Sequence, residues 1–164
     1  MPNEPQKTDP LKHGYLYAVR LLASSKKSSQ ELKRRLLEKG YAEPVASEII
    51  SRLEQQRVLN DESLVRDALH WALEAKGLGR NRIVYELRKR GVSPQLIQDE
   101  LSMVPRAKER AIAMSLAKNR WIRLQNIDLR KRKKRVYDFL ASRGFDYDLC
   151  REVIAGLKDA NEDF

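Results

Sequence analysis

The sequence predicts an all-α protein of three tandem three-helix modules, about nine helices in an elongated, curved array. Three observations lead there. Three segments align on a glycine: residues 31–41, 82–92 and 135–145, with Gly40, Gly91 and Gly144 spaced 51 and 53 residues apart. Each carries an apolar pair at i, i+4 (Leu32/Leu36, Ile83/Leu87, Val136/Leu140), which is one face of a helix. No segment shows a convincing period-2 alternation, the mark of a half-buried strand.

Each aligned segment reads as a helix and its stop. A basic residue, Lys39, Arg90 or Arg143, sits in the last turn, where it complements the negative end of the helix dipole. The glycine then takes the left-handed C′ position, and Tyr41, Val92 or Phe145 supplies the apolar contact of a Schellman cap. A second helix follows each stop. Ser93-Pro94 is an N-cap with proline at the first helical position, Asp146 is the matching cap in the third copy, and Pro44 marks the start in the first. Its apolar stripes are Val45, Ile49 and Leu53; Leu96, Ile97 and Leu101; and Leu149, Val153, Ile154 and Leu157.

A helix also precedes each pair. The first spans about 11–23 with Leu16, Val19 and Leu22 as core, and the next helix opens on a Ser28/Glu31 capping box. The second starts at Asn60-Asp61 with Leu64, Ala68, Trp71 and Ala75 on one stripe, and the third spans about 105–118 with Ala107, Ala111, Met114 and Leu116. The modules are therefore 11–57, 58–104 and 105–164, after a frayed polar tail over 1–10.

Hydrophobic residues make up 41% of the 164, enough for a core, while 34% are charged and need solvent or partners. No run approaches the roughly 20 apolar residues of a membrane span, and the amino-terminal stretch has no signal-peptide core. The chain reads as a cytoplasmic protein that does not engage a membrane, and as a monomer. The single Cys150 excludes an internal disulfide and a cysteine cage, and His13 and His70 have no metal-ligand spacing. With no nucleophile–base pair or phosphate cradle either, neither an enzyme nor a cofactor is expected. The net charge of +10 is uneven. Lys and Arg number 11 against 7 acidic residues in 1–57, 7 against 7 in 58–104, and 15 against 9 in 105–164. Such a field favours polyanions without specifying sequence.

The second module carries a resemblance. Lys76-Gly77-Leu78-Gly79-Arg80-Asn81-Arg82-Ile83 continues through Glu86-Leu87 to Arg90-Gly91-Val92. This is similar to the RecX signature K-G-x-G-x-x-R-I-x-x-E-L-x-x-K/R-G-I/V. Leu59-Asn60-Asp61 resembles that family's L-D-D. Ser29 to Leu32 with Lys39-Gly40-Tyr41 resembles its S-x-x-E-L…K-G-Y/F, one residue off in spacing at the serine, and Phe139-Leu140 with Arg143-Gly144-Phe145 its F-L-x-x-R-G-F. The likeness runs from about Tyr15 to Leu157. Asn60 replaces an aspartate, Arg57 stands where glycine is common, Leu64 replaces an aromatic, and 121–129 matches little. The resemblance implies three tandem three-helix modules that bind RecA, above all its filament on single-stranded DNA. It further implies modulation, usually inhibition, of RecA's ATPase, strand-exchange and coprotease activities, with no catalytic site or cofactor.

Two basic sets are the candidate contacts to RecA or DNA. One is the run Arg130, Lys131, Arg132, Lys133, Lys134 and Arg135, whose mutual repulsion phosphate or an acidic partner would relieve. Its plain reading is a solvated helix start. The other is Arg80, Arg82, Arg88, Lys89 and Arg90, in which Arg82 can instead pair with Glu86 at i+4. Gly77-Leu78-Gly79 lacks a preceding strand and reads as a hinge between helices, not a phosphate loop. Cys150 falls at an apolar repeat position and Trp71 on a helical stripe, so both are expected in the core. Trp121 lies among cations, where core packing is favoured over base stacking. Direct binding to single-stranded DNA is expected to be weak without RecA. The competing reading is a helical DNA-binding protein that acts without RecA.

Overall fold

The structure, a computed structural model, describes residues 9–157. The described residues form nine α-helices and no strand: α1 (Pro10–Ser24), α2 (Ser29–Glu38), α3 (Glu43–Gln55), α4 (Asp61–His70), α5 (Arg80–Lys89), α6 (Pro94–Ser102), α7 (Arg106–Arg123), α8 (Leu129–Ser142) and α9 (Tyr147–Ala155). A π-helical turn, Trp71–Ala75, extends α4. Asp9 caps α1 through the Leu11 N–H and Pro10 is already helical, so the last two residues of the expected 1–10 tail belong to the start of α1. Residues 1–8 and 158–164 lie outside the described residues.

The chain forms two compact units, one of residues up to 64 together with 88–93, the other of 65–87 together with 94 onward. The first unit is α1–α3, the start of α4 and the end of α5. Its core is Ala18, Leu32, Leu36, Ala46, Ile49, Ile50, Leu53 and Leu59. The apolar spine expected for α1 is corrected here: Leu16 is 49% exposed, Val19 and Leu22 are only partly buried, and the buried positions are Gly14 and Ala18. A β-carbon on Gly14 would lie 2.5 Å from the Ile49 methyl, so α1 approaches α3 over a strip of small residues. The capping box forms as expected, with Ser28 Oγ accepting from the Glu31 N–H and Glu31 accepting from the Ser28 N–H. Ser28 Oγ–H also donates to the Arg90 carbonyl, and Asp61 accepts from both the N–H and the hydroxyl of Ser29.

The turn after α3 ends on Arg57 at φ +56°. The Arg57 N–H donates to Glu54 O and the Val58 N–H to Leu53 O, both at 2.9 Å, which is a complete Schellman pair. An arginine therefore occupies the position that suits glycine and bears the left-handed penalty. Arg57→Gly is expected to stabilise the protein by about 0.5–1 kcal/mol, the relief being partly offset by the freer unfolded chain. Thermal unfolding should show a midpoint roughly 1–4 °C higher; a lower midpoint would contradict this account.

In the second unit, α7–α9 enclose Ala113, Ala117, Trp121, Leu124, Val136, Leu140, Phe145, Leu149, Cys150 and Val153. Trp121 is core, 4% exposed. The stripe expected for α7 is corrected. Ala107 and Ala111 are exposed, Met114 and Leu116 are partly buried, and the buried face is Glu109, Ala113, Ala117 and Trp121, each four residues from the last. A glutamate heads that stripe, which hides it from a search for apolar periodicity. On α4 and the π-helical turn that extends it, the buried face is Leu64, Val65, Leu69, Ala72 and Leu73. Trp71, expected in the core, is 56% exposed with Lys76 Nζ 4.9 Å above its ring. Leu64 borders both candidate faces of this helix, and the face with more apolar residues is the one buried. Cys150 is fully buried, and burial, with the charges of Asp146 and Glu109, pushes its thiol up to about 11. The thiolate needed for reaction is therefore scarce at neutral pH.

The Gly77–Gly79 segment does join two helices, but it is pinned. The Gly79 N–H donates to Arg143 O at 2.9 Å, the Asn81 N–H donates to Gly144 O at 3.1 Å, and the Arg143 guanidinium donates to Lys76 O at 2.7 Å. The start of α5, within the second repeat, is thus fastened to the turn between α8 and α9 in the third.

Candidate nucleic-acid interface

The three aligned glycines sit where the sequence puts them, at φ +98° (Gly40), +75° (Gly91) and +87° (Gly144). They set the ends of α2, α5 and α8, and so the placement of the cations on those helices.

The first basic set lies on the opening turns of α8. Cations there oppose the positive end of the helix dipole, and Asp128 supplies the counter-charge, accepting from the Lys131 N–H at 3.1 Å. Arg132 turns inward. Its guanidinium lies 3.9 Å from the Trp121 ring centroid, and its Nε–H donates to the Trp121 carbonyl at 3.0 Å, near the C-terminal end of α7. Lys134 pairs with Asp138 at 2.7 Å. Arg130, Lys131, Lys133 and Arg135 are exposed. The run therefore divides into one arginine that locks two helices and a group of cations on the surface.

The second set is also divided, and between the two units. Arg80 belongs to the second, where its Nε–H donates to buried Glu109 at 2.6 Å. Arg82 pairs with Glu86 at 2.8 Å and lies over the exposed Tyr85 ring. Arg88, Lys89 and Arg90 belong to the first unit. Arg90 is bound to Glu31 at 3.0 Å and to Lys26 O at 2.8 Å. Burial alone would raise the Glu31 carboxyl, but hydrogen bonds from Arg90 and the Ser28 N–H, with the charges of Arg90 and Lys27, hold it below its ordinary value. Arg88 and Lys89 are exposed. A groove of about 380 Å³ in the first unit is lined by Lys33, Arg34, Lys89 and Arg90 together with Glu31 and Glu43, and Lys33 pairs with Glu43 at 2.5 Å. Lys33 and Arg34 were not among the cations singled out in the sequence. Their signal, two adjacent cations in α2, resembles any solvated helix face until the fold sets them beside Lys89.

The exposed cations of these surfaces give each a positive field, which suits anions. Among the described residues no group of three or more His, Cys, Asp or Glu is placed to hold a metal. No helix there is long and apolar enough to cross a membrane.

Three family models match in chain order. RecX, first three-helix domain, matches residues 15–53; the second matches 60–101; the third matches 108–154. The regulatory protein RecX of Clostridium perfringens (strain 13 / Type A) is 31% identical over 142 residues, 85% of this chain and 66% of that protein. The match thus spans just under two thirds of that relative. The regulatory protein RecX of Pelodictyon phaeoclathratiforme is 31% identical over 144 residues, 84% of each chain. The crystal structure of RecX from Lactobacillus salivarius superposes with a TM-score of 0.85 at 22% identity, covering 90% of this chain and 96% of that one. A second crystal structure of regulatory protein RecX gives 0.80 at 20% identity, covering 93% and 79%. Three RecX domains in order and 31% identity across most of a full relative place this chain in the RecX family of regulatory proteins.

Proposed function

We propose that this protein binds RecA and RecA filaments on single-stranded DNA, and restrains RecA's ATPase, recombinase and coprotease activities. The observation that carries the reading is the ordered set of three RecX domains. It acts by binding alone, as a cytoplasmic monomer without a cofactor. The exposed cations of α8 (Arg130, Lys131, Lys133, Arg135) and of the end of α5 (Arg88, Lys89) are the contacts to phosphate or to acidic filament surface. Arg80, Arg90 and Arg132 act indirectly, because each is held in an internal bond. Direct DNA binding without RecA is the second reading, favoured by the α8 cations, which need no other protein to meet a phosphate.

ATP hydrolysis by RecA on single-stranded DNA is the test. Titrating this protein should suppress it well below one protein per RecA, because one subunit on a linear polymer affects many neighbours. Changing Arg130, Lys131, Lys133 and Arg135 to glutamine should weaken suppression while helical circular dichroism stays unchanged. The salt slope of binding should flatten by up to about 3, at about 0.7 for each lost phosphate contact. Unchanged hydrolysis at equimolar protein, with binding demonstrated, contradicts the regulatory reading. Equal, salt-dependent DNA binding with and without RecA favours the second.

A further inference from the structure

On α8, Arg130, Lys133, Lys134 and Tyr137 fall within one arc of about 100° of the helix, spread over about 10 Å of axis. The stripe continues onto α9. The Tyr137 ring meets the Tyr147 ring edge-on at a centroid distance of 6.1 Å, and the Arg151 guanidinium lies 5.5 Å from the Tyr147 centroid. Tyr147 is 58% exposed, although it stands at the first position of α9, where its neighbours Leu149, Cys150 and Val153 form core. A lone exposed tyrosine needs no explanation. This one is different in placement. Its ring is held by a second aromatic, flanked by a cation, and lies at the end of a row of surface cations.

We infer that Tyr147 is a base-stacking residue for single-stranded nucleic acid, with Arg130 and Lys133 binding the phosphates that lead to it. The chemistry is complementary. A cation row neutralises a backbone whatever the base, and a largely exposed aromatic ring takes any base by stacking. The roughly 10 Å of helix axis from Arg130 to Tyr137 matches about three nucleotide steps of a stacked strand. Duplex DNA offers no free base face, so the stripe selects single strands. Tyr137 and Arg151 are positioning residues that fix the Tyr147 ring. This inference rests on reading α8 as a phosphate-binding surface, and it does not require RecA.

The test uses the full chain without RecA. Fluorescence anisotropy is measured for a labelled oligothymidylate and for an abasic strand with the same number of phosphates. The wild type should prefer the strand with bases by about fivefold or more. Tyr147→Ala should lose that preference while keeping its affinity for the abasic strand and its salt slope. Tyr147→Phe should retain the preference. Arg130→Gln with Lys133→Gln should weaken both strands alike and reduce the salt slope by about 1.4. The inference is overturned if the wild type binds the two strands equally, or binds neither. It is also overturned if a folded Tyr147→Ala keeps the preference. Should binding be absent while RecA hydrolysis is still suppressed, the stacking site falls and the regulatory reading stands.

Discussion

Glu109→Ala is expected to destabilise the second unit by about 3–5 kcal/mol, the usual effect of removing one partner from a buried ion pair. The Glu109 side chain has no solvent exposure. One carboxylate oxygen accepts from the Arg80 backbone N–H at 3.0 Å, and the other accepts from Arg80 Nε–H at 2.6 Å and from the Arg106 guanidinium at 3.2 Å. Alanine would leave a mostly buried guanidinium without its anion and the first N–H of α5 without an acceptor, which adds its own desolvation penalty. Glu109→Gln keeps an acceptor for that N–H and should lose less. Urea unfolding followed by circular dichroism would measure both. An alanine variant within 1 kcal/mol of the parent would mean that the carboxylate is dispensable.

Gly144→Ala should be more damaging than Gly40→Ala, though both glycines are left-handed. Around Gly40 a β-carbon would meet nothing within 4 Å. Its replacement should therefore cost only the backbone penalty, about 1–2 kcal/mol. A β-carbon on Gly144 would lie 2.4 Å from the backbone nitrogen and Cβ of Arg82. Across the same joint, a β-carbon on Gly79 would lie 2.3 Å from the Phe145 nitrogen. Backbone meets backbone here, so no side chain can swing aside. Overpacking adds roughly 1–3 kcal/mol to the strain, and the total should reach about 3 kcal/mol or more. Comparing the two midpoints in one denaturant series checks this. Equal losses would mean that the joint is looser than the 2.9 Å Gly79–Arg143 hydrogen bond implies.

The helices and their stops were legible because they are local. The Ser28/Glu31 box, the Asp146 cap and the three glycines act within about four residues, so spacing alone located them. The i, i+4 pairs of α2, α5 and α8 were equally plain, since each pair is fully or almost fully buried in the core. The resemblance to the RecX family was readable for the same reason: its signature is made of helix stops and starts.

What the sequence could not decide was which face of an ambiguous helix is buried, and which cations stay on the surface. α1 buries Gly14 and Ala18 because close approach to α3 outweighs the larger side chains beside them. α7 buries a glutamate because Arg80 and Arg106, one of them 29 residues away in the chain, converge on it. Trp71 lies outside because Val65, Leu69, Ala72 and Leu73 make the larger apolar face. The eleven candidate cations looked alike in sequence. Tertiary structure gave Arg80 to Glu109, Arg90 to Glu31 and Arg132 to Trp121, and left the outer part of α8 to solvent. Local hydrogen bonding and periodicity fix where helices begin and end. Burial and charge pairing depend on residues far apart in the chain, and only the packed structure brings those together.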